Sequence, residues 1–482
     1  MHTKPYSRTV ARTLIAAAAA LTCLATEAAT IKITSRDPAG VGFNDPTPVA
    51  PVGGNMGTTL GQQRMNVYRY VADVWERNLD SDVEITVSAG WENLTCTSSS
   101  ATLGSAGANR IWILTEEGGA NPTLYPQALA NKLLGRNLSA NTPGLAGMDI
   151  KTQFNARLGQ PGCLDGSPFY LGLDGNEGDE VDFAATLLHE LGHGLGVSVL
   201  GVATGTGQRV YGYPSVWEGF MYDNTAKKSW LDMTDAERKA SAINPGQLAW
   251  TGPNTVAGAT MLAPLPVVKS ASPAGPIPTA PYSPSTFGPA VPSTGMLGPL
   301  AVIATQAGEA GPGCSPFNAA NAAAAKGKVP IISRGGCDFN LKVKNAQDVG
   351  AVGVVLANNA AGGFTPGGTN SAVRIPSVGV SQADGAMLMA AVAAAKPYGS
   401  RAQPGQVTAT LAIDPNRRAG ADVAGRPLLY TPNPLVPGSS VSHFDTSAFP
   451  NLLMEPSINA DLTLEVKPPK DLTLPMLKDL GW

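Results

Sequence analysis

The spacing of apolar residues near the start of the chain predicts a sheet and a helix. Apolar residues alternate with polar ones at Ile31 and Ile33 and again over 83–87, which is typical of half-buried strands. Between these segments, 65–79 carries apolar residues at helical spacing, namely Val67, Val71, Val74 and Trp75. The segment RIWILT at 110–115 predicts a further short strand. Together these elements predict an α+β platform.

The most regular amphipathic pattern of the chain lies in 181–196. Its apolar residues recur at positions i, i+3, i+4 and i+7, namely Ala184, Leu187, Leu188 and Leu191. Acidic residues at its start favour the positive end of a helix dipole, and Gly194 and Gly196 can end the helix. We therefore predict a helix here with one buried face.

The composition of the chain changes near residue 264. The segment 264–292 is dense in Pro, Ser, Ala and Thr, which predicts a linker or an irregular loop. Short apolar runs then follow at 302–303, 329–332, 352–356 and 378–380. They alternate with helical segments at 341–349 and 386–395, and this alternation predicts a small α/β module. After about residue 415 the sequence is again rich in loop-forming residues.

Length and charge restrict the class of protein. A chain of 482 residues is too long for one ordinary core, so two or more domains are expected. Charged residues make up 14% of the chain and the net charge is −3. No basic stripe or block of like charge is present, which argues against a nucleic-acid partner or an anionic membrane surface.

The first 29 residues have the pattern of a secretory signal peptide. Lys4, Arg8 and Arg12 precede a short apolar run at 14–25, and small residues follow it. About a dozen apolar residues cannot cross a hydrocarbon core that needs roughly 20, so we predict a cleaved signal at 1–29 instead of an anchor. No later stretch is long and apolar enough to span a membrane, so no stable membrane association is expected. The predicted location is extracellular, with the periplasm as the alternative.

The cysteines indicate two disulfides. The chain has five cysteines, and removal of Cys23 with the signal peptide leaves four: Cys96, Cys163, Cys314 and Cys337. None lies in a C-x-x-C pair, which argues against a cysteine-built zinc site. Three connectivities are open, and pairing within each region is the simplest. We predict the disulfides Cys96–Cys163 and Cys314–Cys337.

An HExxH motif, formed by His189, Glu190 and His193, lies on the predicted helix. A spacing of four residues places both imidazoles on one helix face, about one turn apart, so both can bind one Zn²⁺. Glu190 lies beside the metal without binding it and can take a proton from the water that the metal activates. Two of the four histidines of the chain fall in this one turn, which argues against a chance match.

The run HELGHGLG at 189–196 resembles the active-site helix of the metzincin metalloproteases, whose pattern is HExxHxxGxxH. Gly196 matches the glycine of that pattern, but Val199 stands where the third histidine belongs. Either the third ligand is not a histidine or it comes from elsewhere in the chain. His443 is the only other histidine of the mature chain, and Glu218 is the alternative ligand, as in a gluzincin-type peptidase.

The sequence after His443 extends this resemblance. The segment LMEP at 453–456 is similar to the metzincin Met-turn, in which a methionine, here Met454, underlies the zinc ligands. The last residues, 474–482, resemble the closing helix of the same group. The closest arrangement is the leishmanolysin-like one, in which an insertion separates the zinc helix from the third histidine. This resemblance implies that His443 completes the zinc site.

A second resemblance covers roughly 265–415. The segment RGGCDF at 334–339, followed by GAVGVV at 350–355 and IPSVGVS at 375–381, is similar to the protease-associated (PA) domain. Domains of this family accompany proteases and influence substrate access without supplying catalytic groups. The resemblance therefore implies that a PA domain is inserted into the catalytic domain.

A cluster of oxygen-bearing side chains precedes the predicted helix with the HExxH motif, which is called the zinc helix below. Its members are Asp174, Asn176, Glu177, Asp179 and Glu180. Oxygen ligands at this density suit Ca²⁺, but their spacing is not that of an EF-hand. A solvated acidic loop is the simpler interpretation. Zn²⁺ is thus the predicted cofactor, and Ca²⁺ is only a candidate.

These observations predict an α+β, metzincin-like zinc protease domain that is interrupted by a small α/β PA domain. After the signal peptide, the predicted parts are the N-terminal catalytic part at 30–264, the PA domain at 265–415 and the C-terminal catalytic part at 416–482. The predicted function is a secreted zinc endopeptidase that acts on proteins or peptides, with Glu190 as general base. The alternatives are a gluzincin-type peptidase and an inactive PA-bearing binding protein, although an inactive homologue has no need of Glu190.

Overall fold

The structure is a computed structural model that describes residues 28–115, 121–140, 147–360, 362–395, 406–459 and 461–482. The predicted signal peptide lies outside the described residues, apart from its last two positions. The described residues form a mixed α/β structure with two large sheets. No helix in this part of the chain is long and apolar enough to cross a membrane.

The first sheet of the described residues consists of β1 (Ile31–Ser35), β2 (Ile85–Glu92), β3 (Gly104–Ala108) and β4 (Ile150–Asn155). Their spatial order is β1, β2, β4, β3, with β3 antiparallel at the edge and the other three strands parallel. The strand that was predicted at 110–115 is present as Ile111–Leu114. It pairs with Thr123–Pro126 in a hairpin outside this sheet.

Five α-helices lie in the described residues before 264: α1 (Leu60–Glu76), α2 (Gln127–Leu134), α3 (Phe183–Leu195), α4 (Asp235–Ser241) and α5 (Pro253–Gly258). Helices α1 and α3 pack against each other and against the first sheet. Helix α1 begins five residues before its predicted start, because the Thr59 hydroxyl caps it by accepting the backbone N–H of Gln62 at 3.2 Å. Its buried face includes Val67, Val71 and Trp75, as the apolar spacing predicts.

Shorter elements connect these strands and helices. The short strands are Cys96–Thr97, Ser100–Ala101, Phe169–Tyr170, Val181–Asp182, Val202–Ala203, Gln208–Arg209, Met221–Asp223, Lys228–Ser229 and Leu248–Trp250. The 3₁₀ turns are Gly42–Asn44, Trp217–Phe220, Trp230–Asp232 and Ala259–Met261. The strand Met221–Asp223 lies between Lys228–Ser229 and Leu248–Trp250 in a separate small sheet. The last helix, α9 (Thr473–Leu480), buries most of its residues in the core of this part of the chain.

The second sheet has nine strands: β5 (Pro264–Ser272), β6 (Gly275–Pro276), β7 (Ala280–Pro281), β8 (Ser283–Pro284), β9 (Met296–Val302), β10 (Val329–Ser333), β11 (Val354–Ala357), β12 (Ser377–Val380) and β13 (Thr408–Arg418). Strands β9 to β12 run parallel, and α6 (Ala319–Ala325), α7 (Phe339–Asp348) and α8 (Gln382–Ala394) alternate with them. This is the alternation that the apolar runs predict for a small α/β module.

The prediction of a linker or an irregular loop at 264–292 is wrong for most of this segment. Most of that segment forms strands of the second sheet, and β5 pairs with β13 in an antiparallel ladder from Pro264 to Ala271. The apolar side chains of Val267 and Val268 are fully buried. They provide the burial that a strand needs, although the prolines and serines around them give the segment the composition of a loop.

The part of the structure that contains the first sheet is called the first unit, and the inserted module with the second sheet is the other unit. The chain leaves and re-enters the first unit at neighbouring points. The Ala263 N–H donates to the Phe449 carbonyl at 2.7 Å, and the Ala263 carbonyl accepts the Ala419 N–H at 3.0 Å. One hydrophobic core contains buried residues from both 29–262 and 421–480, whereas the second sheet has separate cores of its own. The first and last segments of the described chain therefore fold together around the module between them.

Both predicted disulfides are confirmed. Cys96 bonds to Cys163, and Cys314 bonds to Cys337. The first joins the hairpin at 96–101 to the loop after β4, and the second lies within the inserted module. Each bond closes a loop inside one of the two units, so neither cross-links the units to each other.

Candidate metal centre

Helix α3 presents the HExxH motif. The Asp182 carboxylate caps the helix and accepts the N–H groups of Ala184 at 2.7 Å and Ala185 at 3.1 Å. The helix ends at Gly196, whose φ of 134° lies in a region that L residues with a side chain rarely adopt. Because nearly all residues of α3 are buried in the core, the helix holds His189 and His193 at fixed positions one turn apart.

Three histidines meet at one point. The Nε2 atom of His193 lies 3.1 Å from Nε2 of His189 and 3.1 Å from Nε2 of His443. Among the described residues, this is the one group of three or more His, Cys, Asp or Glu side chains that could hold a metal ion. The structure thus brings His443 to the zinc helix across 250 residues of sequence.

The other ring nitrogen of each histidine is held by a backbone carbonyl. Nδ1 lies 2.7 Å from the Leu453 carbonyl in His189, 2.5 Å from the Val197 carbonyl in His193 and 2.7 Å from the Ser439 carbonyl in His443. A carbonyl only accepts, so each Nδ1 carries the proton and each Nε2 exposes a lone pair. Three lone pairs that converge in this way repel one another unless a cation lies between them.

The geometry fits a zinc ion. Three nitrogens bound tetrahedrally at the usual Zn–N distance of about 2.0–2.1 Å lie roughly 3.3–3.4 Å from one another. The two Nε2 separations of 3.1 Å at His193 are close to this value. Tethering of Nδ1 to a carbonyl is also the usual way in which a metal-binding histidine is oriented. The three histidines therefore have the donor set of a catalytic zinc site with an open position.

The electrostatic environment keeps these imidazoles neutral. Burial lowers the pKa of His189 to about 3 and that of His193 to about 4. Burial also lowers the pKa of His443 well below its ordinary value, and the two neighbouring histidines add to this effect. Only a neutral imidazole can bind a metal ion, so all three rings are available as ligands at neutral pH.

Glu190 lies next to this group on the same helix. Its side chain is buried, and burial raises the pKa of its carboxyl group to about 7, against the opposing effect of a hydrogen bond from the Ala106 backbone N–H. Ala106 belongs to the edge strand β3, which contacts α3. The carboxyl group is thus fixed between the zinc helix and the edge of the first sheet.

The structure also locates the positions that the sequence left open. The Val199 N–H donates to the Ser442 hydroxyl at 3.1 Å, so the position where the metzincin pattern has its third histidine lies beside His443. Glu218, the alternative ligand, is fully buried elsewhere. Its carboxylate accepts from Arg209 at 2.9 Å and from the Ser215 N–H at 2.9 Å, and it is not part of the three-histidine group.

Met454 lies directly beneath the zinc helix. Its side chain is fully buried, and a Cβ atom added at Gly192 would lie 2.8 Å from the Met454 Sδ atom. The glycine between the two histidines of the motif therefore leaves the space that the methionine fills.

We expect Gly192→Ala to lower the free energy of unfolding by about 1–3 kcal/mol, the usual cost of an added methyl group in a packed core. The methyl group and the Met454 sulfur cannot share the space, and the buried methionine has little room to move. Chemical denaturation of Gly192→Ala, Met454→Ala and the double variant measures this effect. The double variant should be less destabilised than the sum of the single changes, and strict additivity would show that the contact is not strained.

The acidic loop does not form a comparable site. Within the described residues, Asp174, Glu177, Asp179 and Glu180 are not among the groups whose ligand atoms lie close together. The Asp174 carboxylate instead accepts the Tyr170 hydroxyl at 2.6 Å. The solvated-loop interpretation fits this arrangement, and the structure gives no support to calcium.

The groups at the site that the sequence analysis missed include the Leu453 carbonyl and the Ala106 N–H. Both are backbone groups, which leave no trace in residue identity. The first has an indirect signal, because Leu453 directly precedes the predicted Met-turn methionine. The second has none, since β3 is a run of small residues, GSAGA.

Comparison with known protein families identifies one domain. The PA domain family matches residues 296–388, which include β9 to β12 of the second sheet. The chain therefore contains a PA domain, as the sequence predicts. The matched range lies inside the predicted range 265–415, and the second sheet extends beyond it on both sides.

Several curated relatives match a short stretch of the chain. Leucine aminopeptidase 2 of Arthroderma otae is 41% identical over 73 residues, which are 15% of this chain and 14% of that protein. Aminopeptidase YwaD of Bacillus subtilis is 41% identical over 68 residues, which are 14% of this chain and 15% of that protein. The chain thus spans only about one seventh of the length of the curated relatives that it matches.

Solved structures give weaker similarities. The zinc aminopeptidase BSAP of Bacillus subtilis covers 33% of this chain and 34% of its own, with 22% identity and a TM-score of 0.21. The subtilisin-like protease Apa1 of Pseudoalteromonas sp. AS-11 covers 32% of this chain and 35% of its own, with 18% identity and a TM-score of 0.22. Similarities at these TM-scores carry no argument about the fold or the activity of this chain.

Proposed function

We propose that this protein is a zinc-dependent peptidase whose metal is held by His189, His193 and His443. The observation that carries this proposal is the convergence of three Nε2 lone pairs, with Nε2 of His193 3.1 Å from that of each other histidine and every Nδ1 held by a backbone carbonyl. Glu190, which follows the first ligand in sequence, supplies the proton-accepting group that peptide hydrolysis needs. The split metzincin-type arrangement is part of the proposal and is supported by the position of Met454 under the helix.

A zinc ion held by His189, His193 and His443 would polarise the scissile carbonyl and acidify the attacking water. Glu190 accepts the proton of that water and delivers it to the leaving amine. Its carboxyl group is buried beside the histidines, and this burial raises its pKa to about 7. Burial disfavours protonation of all three histidines.

The proposed substrates are peptides, and chelation tests the proposal directly. Incubation with EDTA should abolish cleavage of an internally quenched peptide, and added Zn²⁺ should restore it. A zymogram run in parallel separates this reading from an inactive PA-bearing binding protein, which shows no clearing with or without the chelator. Full activity in protein that metal analysis shows to be zinc-free would refute the proposal.

Aminopeptidase activity is the second candidate, because the curated relatives that match this chain are named as aminopeptidases. The sequence analysis instead predicted an endopeptidase. A matched pair of peptides, one with a free N-terminus and one N-acetylated, distinguishes the two. An endopeptidase cleaves both at an internal bond, whereas an aminopeptidase releases residues only from the free N-terminus.

Export from the cell is also proposed. Two disulfides are typical of oxidising compartments, and they support this location. Mass spectrometry of the N-terminus of the protein recovered from culture medium tests it. Cleavage after residue 29 or nearby is the expected result, and recovery of full-length protein from the cytosol alone would contradict it.

A further inference from the structure

Asp471 is a buried carboxylate just before α9 that has no part in the proposed chemistry. It is 2% exposed, and it accepts two backbone N–H groups, one on each oxygen. The Leu453 N–H donates to Oδ2 at 2.7 Å, and the Thr473 N–H donates to Oδ1 at 2.6 Å. Asp471 therefore joins the start of the last helix to the segment that precedes Met454.

Both backbone groups of Leu453 are hydrogen-bonded. Its N–H donates to Asp471, and its carbonyl accepts a hydrogen bond from the Nδ1–H group of His189 at 2.7 Å. Leu453 is 1% exposed, so water cannot replace either partner. Asp471, Leu453 and His189 thus form one continuous chain of contacts from the last segment of the protein to the first predicted zinc ligand.

His189 differs from the other two histidines in where its tether comes from. The carbonyls that hold His193 and His443 belong to Val197 and Ser439, each four residues away on the same segment. The carbonyl that holds His189 lies 264 residues away in sequence. The local fold orients the rings of His193 and His443. The orientation of the His189 ring instead depends on the position of the Leu453 segment.

We propose that Asp471 is a positioning residue for the zinc site, which sets the ring orientation of His189 through Leu453. Its Oδ2 accepts the Leu453 N–H while its Oδ1 accepts the Thr473 N–H, so one side chain fixes the Leu453 segment against the start of α9. Groups that orient metal ligands in this way typically contribute 10–100-fold to metal affinity. Because this role concerns the orientation of a zinc ligand, it rests on the proposed function.

The test compares Asp471→Asn with Asp479→Asn in the full-length protein. Asn has one acceptor oxygen, so at position 471 either Leu453 or Thr473 loses its partner. Asp479 lies on α9 and accepts hydrogen bonds from the Trp250 indole N–H and from Thr255 in α5. None of these bonds leads to His189, so Asp479 serves as the control aspartate. The measurements are zinc affinity by chelator competition and the visible spectrum of the Co²⁺-substituted protein.

We expect Asp471→Asn to lower zinc affinity at least ~10-fold and to change the Co²⁺ spectrum. Asp479→Asn should lower the melting temperature and leave both metal readouts as in the wild type. If Asp471→Asn does not fold, Asp471→Ser, whose hydroxyl still accepts one N–H, is measured against the same criteria. A folded variant at 471 with wild-type affinity and spectrum would overturn the positioning role alone. A wild-type protein that binds neither metal would overturn the proposed function as well.

Discussion

Glu190→Gln should reduce peptide hydrolysis by at least ~10²–10⁴-fold while the protein keeps its zinc. The amide of glutamine has nearly the shape of the carboxyl group, but it cannot accept a proton. The three histidines are untouched by the change, so the ligand set remains complete. Turnover of a quenched peptide and zinc content by metal analysis, measured on the same preparation, check both halves of this expectation.

The control for this variant is Glu180→Gln. Glu180 is an exposed acid shortly before α3, so its neutralisation alters the charge near the helix without touching the site. It should leave turnover unchanged. A zinc-loaded Glu190→Gln protein with substantial residual cleavage would remove Glu190 from the role of general base.

His443→Ala should abolish both zinc retention and activity. A catalytic zinc normally has three protein ligands, and two nitrogens from one helix turn do not make up that set. The loss should exceed the roughly 10–100-fold that follows removal of a group which merely orients a ligand. Zinc stoichiometry after dialysis and peptide turnover are the measurements.

Glu218→Gln separates this expectation from the gluzincin alternative. Glutamine can still accept the Ser215 N–H, although the pairing with Arg209 is weakened. With His443 as the third ligand, Glu218→Gln keeps stoichiometric zinc, whatever it costs in stability. The reverse result, in which His443→Ala keeps zinc and Glu218→Gln loses it, would favour Glu218 as the ligand.

Local patterns in the sequence predicted the elements that depend on local physics. Helix α3 was predicted because its apolar stripe and its terminal glycines lie within one short segment. The HExxH spacing then fixed the relation of His189 to His193, since both lie on one helix. The disulfide pairs followed from the grouping of cysteines into two regions. The helix and the HExxH spacing need only residues that are close in sequence, and each disulfide needs only the cysteines of one region.

Features that arise from tertiary contacts were predicted less well. Strand β5 has the composition of a loop, and only its pairing with β13, more than a hundred residues away, shows it to be a strand. The approach of His443 to the zinc helix was inferred from a family resemblance, because no local pattern marks it. The Leu453 carbonyl and the Ala106 N–H are backbone groups, which depend on the path of the chain and not on side-chain identity.

The distance of 250 residues between His193 and His443 also sets an order in time. A chain is made from its N-terminus, at about 5–20 residues per second, so His443 follows the zinc helix by roughly 10–50 seconds. With His443 as the third ligand, a nascent chain carries its catalytic glutamate during that interval without a complete zinc site. It therefore cannot cleave itself until its last segment has been synthesised and has folded back onto the first.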